Sequence, residues 1–220
     1  MNTTSPAAAE RAETQEERRP AGPQYEIRPL STDADRAAAA ALVDDRARQL
    51  AARGITLPHR HLAAYRNARA EAIGLFEAGA DGEEMLLGCL MLHRQPEQHP
   101  RIEDENEPGL GLSLLYTAPG LGEQYGWLIT LWASHYAART GATWVCAEAP
   151  SPASGDASDP LLDYLSSLGW LVTGTRINRD GDRVARLRLN AQERKGLSGL
   201  ITCPIPFDAA RPAHGNAGLR

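Results

Sequence analysis

The feature that most constrains this chain lies near its middle, where an apolar strand meets a proline–glycine stop and a long helix begins. Leu112–Thr117 is apolar enough to be a buried strand. Pro119-Gly120 ends it, because proline cannot donate to a ladder and glycine accepts turn conformations. From about Gln124 to Arg139, Leu128, Leu131, Trp132, His135 and Tyr136 recur at i, i+3, i+4, i+7 and i+8. That is the stripe of an amphipathic helix, which Gly141 closes. A strand that opens a helix through a glycine-bearing loop aims several unpaired backbone N–H groups at one point, and the helix dipole adds partial positive charge there. Such a corner suits a phosphate or pyrophosphate.

The flanking segments alternate in the same manner. Tyr25–Pro29 reads as a short strand, and Ser31, Thr32 and Asp33 offer caps for a helix running to Gly54. Pro58 can start a second helix reaching about Ala70. Ile73–Glu77 and Met85–His93 read as strands joined tightly through Asp81-Gly82, and Gln95–Gly109 as an acidic loop. After the central helix come a strand at Thr143–Glu148, a helix at Pro160–Leu168, and a hairpin of Leu171–Ile177 with Val184–Leu189 around Asn178–Asp182. The order is β-α-α-β-β-β-α-β-α-β-β. A central antiparallel meander excludes a doubly wound sheet and predicts an α/β (α+β) fold with a mixed sheet.

Residues 1–23 carry no large aliphatic side chain after Met1 and read as a disordered tail. Residues 24–190 read as one domain, and 191–220 as a partly ordered extension whose Leu200, Ile201, Ile205 and Phe207 are able to dock. A length of 220 residues fits this single-domain division. The formal charge of −5, with basic residues scattered among acids, argues against nucleic acid or an anionic membrane as partner. No apolar run approaches the roughly 18 residues of a membrane span. Cys89, Cys146 and Cys203 form no metal-type spacing, and their odd number points to a reducing compartment. Arg18-Arg19 is not followed by an apolar stretch, so the expected location is cytoplasmic. Abundant alanine and arginine with little lysine is the composition of a GC-rich bacterial source. His59-x-His61 lacks a third ligand at fitting spacing and reads as a surface or capping pair, so no metal is expected. His135, on the apolar helix face, reads as a satisfied core histidine.

The order of elements from Tyr25 to Leu189 resembles the GNAT N-acetyltransferase superfamily. Leu115-Tyr116-Thr117-Ala118-Pro119 is similar to the family's L-Y-V-x-P, and Leu168-Gly169-Trp170 to its L-G-F. The pyrophosphate loop resembles the family's R/Q-G-x-G-x-G/A at Gly122 and Gly126, but has Leu121 in the first position and Gln124 in place of the middle glycine. The resemblance implies splayed fourth and fifth strands and an acyl-CoA, such as acetyl-CoA, as co-substrate. Its arm would run along Leu115, Tyr116 and Thr117, and its pyrophosphate would lie at Gly122, Gln124, Tyr125, Gly126 and Trp127. It further implies a backbone donor near Leu115 or Tyr116 for the oxyanion. Glu148 is the first candidate base, with a solvated strand-end carboxylate as the competing reading. Tyr116 is a further catalytic candidate against a plain core role. The family's acid is a tyrosine four residues before the L-G-F glycine. That position is Leu165, and Tyr164 lies one residue, about 100° of helix, away. The implied acceptor is an amine of a small molecule or peptide, and acids within Glu97–Glu107 would attract a cationic one. The competing reading is a non-catalytic GNAT-fold module that binds CoA or a protein. A homodimer is left open.

Overall fold

The computed structural model describes residues 24–52, 57–79, 83–94, 109–120, 122–151, 159–178 and 181–207. The acidic segment 95–108 and both termini, 1–23 and 208–220, lie outside them, so the tail and acceptor-steering expectations fall on residues not described. The elements are β1 (Tyr25–Pro29), α1 (Asp33–Ala51), α2 (His59–Arg66), β2 (Ala72–Ala78), β3 (Glu84–His93) and β4 (Gly109–Thr117). They continue with α3 (Gly122–Arg139), β5 (Trp144–Pro150), α4 (Pro160–Ser167), β6 (Leu171–Ile177), β7 (Arg183–Asn190) and a two-residue β8 (Ile201–Thr202). This is the expected order with one strand added. A two-residue strand has no period to read, so β8 becomes visible only through its parallel pairing with β1.

The eight strands form one mixed sheet in the order β6-β7-β5-β4-β3-β2-β1-β8. All neighbours are antiparallel except β4 with β5 and β1 with β8. One face is covered by α3, whose Leu128, Ile129, Trp132, Ala133, Tyr136 and Ala137 are buried against it, with α4 packed on the same side. Leu197, Ile201 and Ile205, beyond β7, complete that core. The other face of β2–β4 is covered by α1 and α2 through Ala39, Leu42, Val43 and Tyr65. Thr32 and Asp35 cap α1 reciprocally, side chain to backbone at both positions.

Two helical limits differ from expectation for identifiable reasons. The central helix begins at Gly122, not near Gln124. The second helix stops at Arg66, short of Ala70. There the Arg36 guanidinium of α1 donates to the carbonyls of Tyr65 (3.4 Å), Asn67 (2.8 Å), Ala68 (3.3 Å) and Ala70 (3.3 Å). Carbonyls that a further turn would satisfy are taken by one side chain, which also ties α2 to α1.

Strand β4 carries a bulge. Cys89 pairs with Tyr116 and Met91 with Ser113, so three steps on β4 oppose two on β3. Leu114 adopts a left-handed backbone (φ 50), and the buried Tyr65 hydroxyl donates to its carbonyl. The extra residue shifts the alternation of side chains. Leu110 and Leu112 face α3, whereas Leu114 and Tyr116 pack on the α1–α2 side. Replacing Tyr65 by Phe removes the bond that holds the bulge. It is expected to lower stability by about 1–2 kcal/mol, read from the urea midpoint at unchanged m-value.

Candidate active site

The alternation break coincides with a parting of strands. β4 and β5 pair only where Gly109, Leu110 and Gly111 meet Trp144, Val145 and Cys146. Beyond that point β5 follows β7 as far as Pro150, while β4 follows β3 as far as Thr117. A slot therefore opens between Leu112–Thr117 and Ala147–Pro150, and among the described residues the backbone of β4 on that side has no strand partner. This is the splay expected of the fourth and fifth strands.

At one end of the slot lies the start of α3. Gly126 and Tyr164, the latter reaching over from α4, meet there. A Cβ built on Gly126 would lie 2.7 Å from the Tyr164 hydroxyl oxygen, so the absence of a side chain at 126 is what gives that hydroxyl its seat. The displacement of the tyrosine by one residue thus turns it toward the first turn of α3. Trp127 and Leu115 are exposed at 46% and 42%, large apolar surfaces left without cover at this end. Thr117 is buried. The Tyr125 ring departs from expectation. It is buried in the core beside Tyr25, and burial, then the Glu77 charge, raises its phenol above the ordinary value. Its ring is thus withdrawn from the corner, and its N–H belongs to the helix ladder of α3. The Gln124 side chain and the surroundings of Gly122 lie outside the described residues.

The opposite, α1–α2 side of the slot carries the remaining candidates. Glu148 is on β5, and its carboxylate receives the Arg176 guanidinium (2.5 Å), which reaches across β7 from β6. Arg186 lies directly opposite Glu148 on β7, and Arg188 stacks over the Trp144 ring at 4.0 Å. Glu148 is therefore an ion-paired carboxylate on an arginine-rich face. Tyr116 points at α2, where its hydroxyl meets Nδ1 of His61 at 2.5 Å. Tyr65 packs edge-on against the Tyr116 ring, and Cys89, opposite Tyr116 on β3, adjoins both. Burial pushes the Cys89 thiol up to about 12 and holds the Tyr116 phenol well above its ordinary value, so both keep their protons at neutral pH.

His61 is the residue that sequence reasoning missed. Read as a surface or capping histidine, it is half-buried and bonded to Tyr116. Its spacing from Tyr65, one helical turn, was the available signal, since residues at i and i+4 share a face. Burial, then the neighbouring Arg60 charge, lowers its pKa, and Asp182 in the β6–β7 turn opposes the shift. His135 stands apart from the slot. Its Nδ1 accepts the backbone N–H of Arg194 at 2.9 Å, a structural role. Among the described residues no group of three or more His, Cys, Asp or Glu side chains is placed to hold a metal ion.

No family model matches the chain, and no curated protein matches it. Solved structures do. FeeM, an N-acyl amino acid synthase from uncultured soil microbes, matches at a TM-score of 0.53 and 17% identity, covering 77% of this chain and 92% of that one. An N-acetyltransferase from Staphylococcus aureus Mu50 matches at 0.51 and 13%, covering 76% and 97%. The aminoglycoside 6'-N-acetyltransferase from Enterococcus faecium matches at 0.50 and 12%, covering 76% and 98%. The chain has the fold of the GNAT N-acetyltransferase superfamily. At these identities the likeness is one of architecture, and the activity has to be argued from the site.

Two outcomes follow from this geometry. Gly126→Ala places a methyl where the Tyr164 hydroxyl rests. Tyr164 is expected to swing away while the thermal midpoint holds within a few degrees, read by differences in tyrosine NMR signals and by calorimetry. His61 and His135 both have lowered folded pKa values. The unfolded chain then binds protons first, so stability should be full above about pH 6.5 and fall as pH drops through the folded values. The paired variant His61→Gln/His135→Gln should flatten that limb of a urea-midpoint series.

Proposed function

We propose that this protein is an acyl-CoA-dependent N-acyltransferase that moves an acetyl or other acyl group to an amine of a small molecule or peptide. The observation that carries the reading is the slot between β4 and β5, opening beside the first turn of α3 with the Tyr164 hydroxyl seated on Gly126. A thioester arm lying in the slot would pair with the unpartnered β4 backbone at Leu115, Tyr116 and Thr117. The pyrophosphate would meet the free N–H groups at the start of α3, from Gly122 to Gln124, where the helix dipole favours it, with Tyr125 and Gly126 behind them in the first turn. Trp127 and Leu115 offer apolar cover for the arm or the acyl chain. The amine attacks the thioester carbonyl, a β4 backbone N–H near Leu115 or Tyr116 supports the oxyanion, and the C–S bond breaks. Tyr164 takes the role of returning a proton to the thiolate, a reading its hydroxyl at Gly126 supports.

Glu148 fits the role of base less well than its position suggests. Its oxygen is engaged by Arg176 at 2.5 Å, and that bond would have to open before a proton could be taken. The pair serves better as part of a receiving surface. Arg176 on Glu148, with Arg186 opposite it and Arg188 over Trp144, makes this strand face rich in guanidinium groups, which suits an acceptor carrying a carboxylate beside its amine. FeeM, by its name, makes N-acyl amino acids, and the same acceptor class agrees with these arginines. The ion-paired Glu148 also favours a second reading, a CoA-binding or protein-interaction module without turnover. A location in the cytoplasm accords with both readings.

Calorimetry with acetyl-CoA and desulfo-CoA, followed by thiol release across amino acids, polyamines and aminoglycosides, separates them. Binding with thiol release on amino acids is the expected result. Binding without release on any amine would favour the module, and no binding would remove the acyltransferase and leave only a protein-interaction module. Tyr164→Phe should lower kcat about 10–100-fold with the acetyl-CoA affinity unchanged.

A further inference from the structure

The α1–α2 side of the slot holds a hydrogen-bonded pair that neither the resemblance nor the Tyr164 assignment uses. Tyr116 and His61 come from different elements, β4 and α2, and meet at 2.5 Å. Their meeting depends on the bulge. Without the extra residue at Leu114 the side chain at 116 would face α3, so the phase shift is what delivers a phenol to α2. Tyr65, one turn after His61, fixes the bulge through the Leu114 carbonyl and braces the Tyr116 ring. Three residues on two elements are thereby committed to fixing one hydroxyl, carried by the strand that borders the slot.

The chemistry of the pair has a direction. A phenol is the stronger donor and a neutral imidazole nitrogen the stronger acceptor, so the Tyr116 O–H donates to Nδ1 and the His61 hydrogen resides on Nε2. The groups facing His61 are Tyr116 from β4, Arg60 from its own helix and Asp182 from the β6–β7 turn, with Tyr65 and Cys89 packed behind Tyr116. Arg60 and burial keep the ring neutral, and the phenol keeps its proton, so at neutral pH the pair is charged with neither a lost nor an extra proton.

We propose that Tyr116 and His61 form a proton relay that deprotonates the incoming amine, with Tyr116 touching the acceptor and His61 acting through it. The proposal rests on the acyltransferase reading above. As the ammonium form of the acceptor enters, its N–H bond breaks and a new Tyr116 O–H bond forms. The original Tyr116 proton passes to His61 Nδ1, giving an imidazolium whose Nε2 proton leaves to solvent. The amine, now neutral, keeps its electron pair for attack on the thioester carbonyl. After attack the nitrogen sheds a second proton, which replaces the one Tyr164 gives the thiolate, and exchange with solvent returns His61 to its Nε2–H form, so atoms and charge balance without any further reactant. The relay supplies the base that Glu148, held by Arg176, does not. His61 is a positioning and proton-accepting partner, and Tyr116 is the catalytic residue.

The test uses the full chain with acetyl-CoA and the amine panel. In the wild type, kcat/KM should fall on the acid side with a midpoint below about 6.5. His61→Gln should lose that limb and about 10–100-fold in kcat, with the acetyl-CoA affinity unchanged within about twofold. Tyr116→Phe should behave alike, and the double variant should be no worse than either single one, because both act as a unit. Independently of turnover, the 15N shift of His61 Nδ1 at pH 8 should report an unprotonated nitrogen. A protonated Nδ1, or a His61→Gln enzyme that keeps its acid limb and its rate within about threefold, overturns the relay and leaves the acyltransferase reading intact. Acetyl-CoA binding with no turnover on any amine overturns the relay while the cofactor corner stands. No binding of acetyl-CoA overturns both.

Discussion

The hydrogen bond from the Tyr65 hydroxyl to the Leu114 carbonyl joins a helix to an otherwise unfavourable piece of strand. A leucine in the left-handed region costs about 1–2 kcal/mol, and the surrounding structure must hold it there. Tyr65 does so from a fully buried position on α2, which Arg36 in turn clamps to α1. From that residue the phase of β4 descends: beyond the bulge Tyr116 turns to α2. The slot where β4 and β5 part thus has two chemically different walls.

Those walls divide the labour of the proposed reaction. On the α3 side the offered groups are backbone N–H donors, a helix dipole and a phenol at Gly126, all suited to an anionic co-substrate and a leaving thiolate. On the α1–α2 side the groups are neutral and proton-bearing, an imidazole and a phenol beside a buried thiol, flanked by an arginine-rich strand face. Keeping Tyr116 and His61 neutral by burial costs nothing in paired charge and leaves each able to pass a proton. Glu148 follows the opposite logic. Its charge is matched by Arg176, which makes it a good structural and recognition element and a poor base.

Architectural likeness at 12–17% identity means that a shared fold is built here from largely different side chains. The fold supplies the parting strands and the helix end, which are backbone features and tolerate substitution. The departures at Leu121 and Gln124 matter less under this view, because the amides that would meet a pyrophosphate belong to the main chain. What differs between members of such a fold is the set of side chains lining the slot, and here that set is Tyr116, His61, Glu148 and the arginines of β6 and β7.

The sequence by itself determined the elements and their order, since these follow from local periodicity, caps and proline or glycine stops. It also marked Gly126, Tyr164 and Tyr116 as residues of interest, although Gln124, Tyr125 and Glu148 were given roles by position alone. What only the tertiary structure decided was which of these meet. The one-residue bulge cannot be seen in an apolar run such as Leu110–Tyr116, because a register shift is defined only against a partner strand. Without it Tyr116 faces the wrong helix, and His61 has nothing to bond. Likewise the Arg176 partner of Glu148 lies 28 residues away on a non-adjacent strand. Pairings between distant residues carry the chemistry, and they are set by how the sheet and helices stack, not by any local pattern.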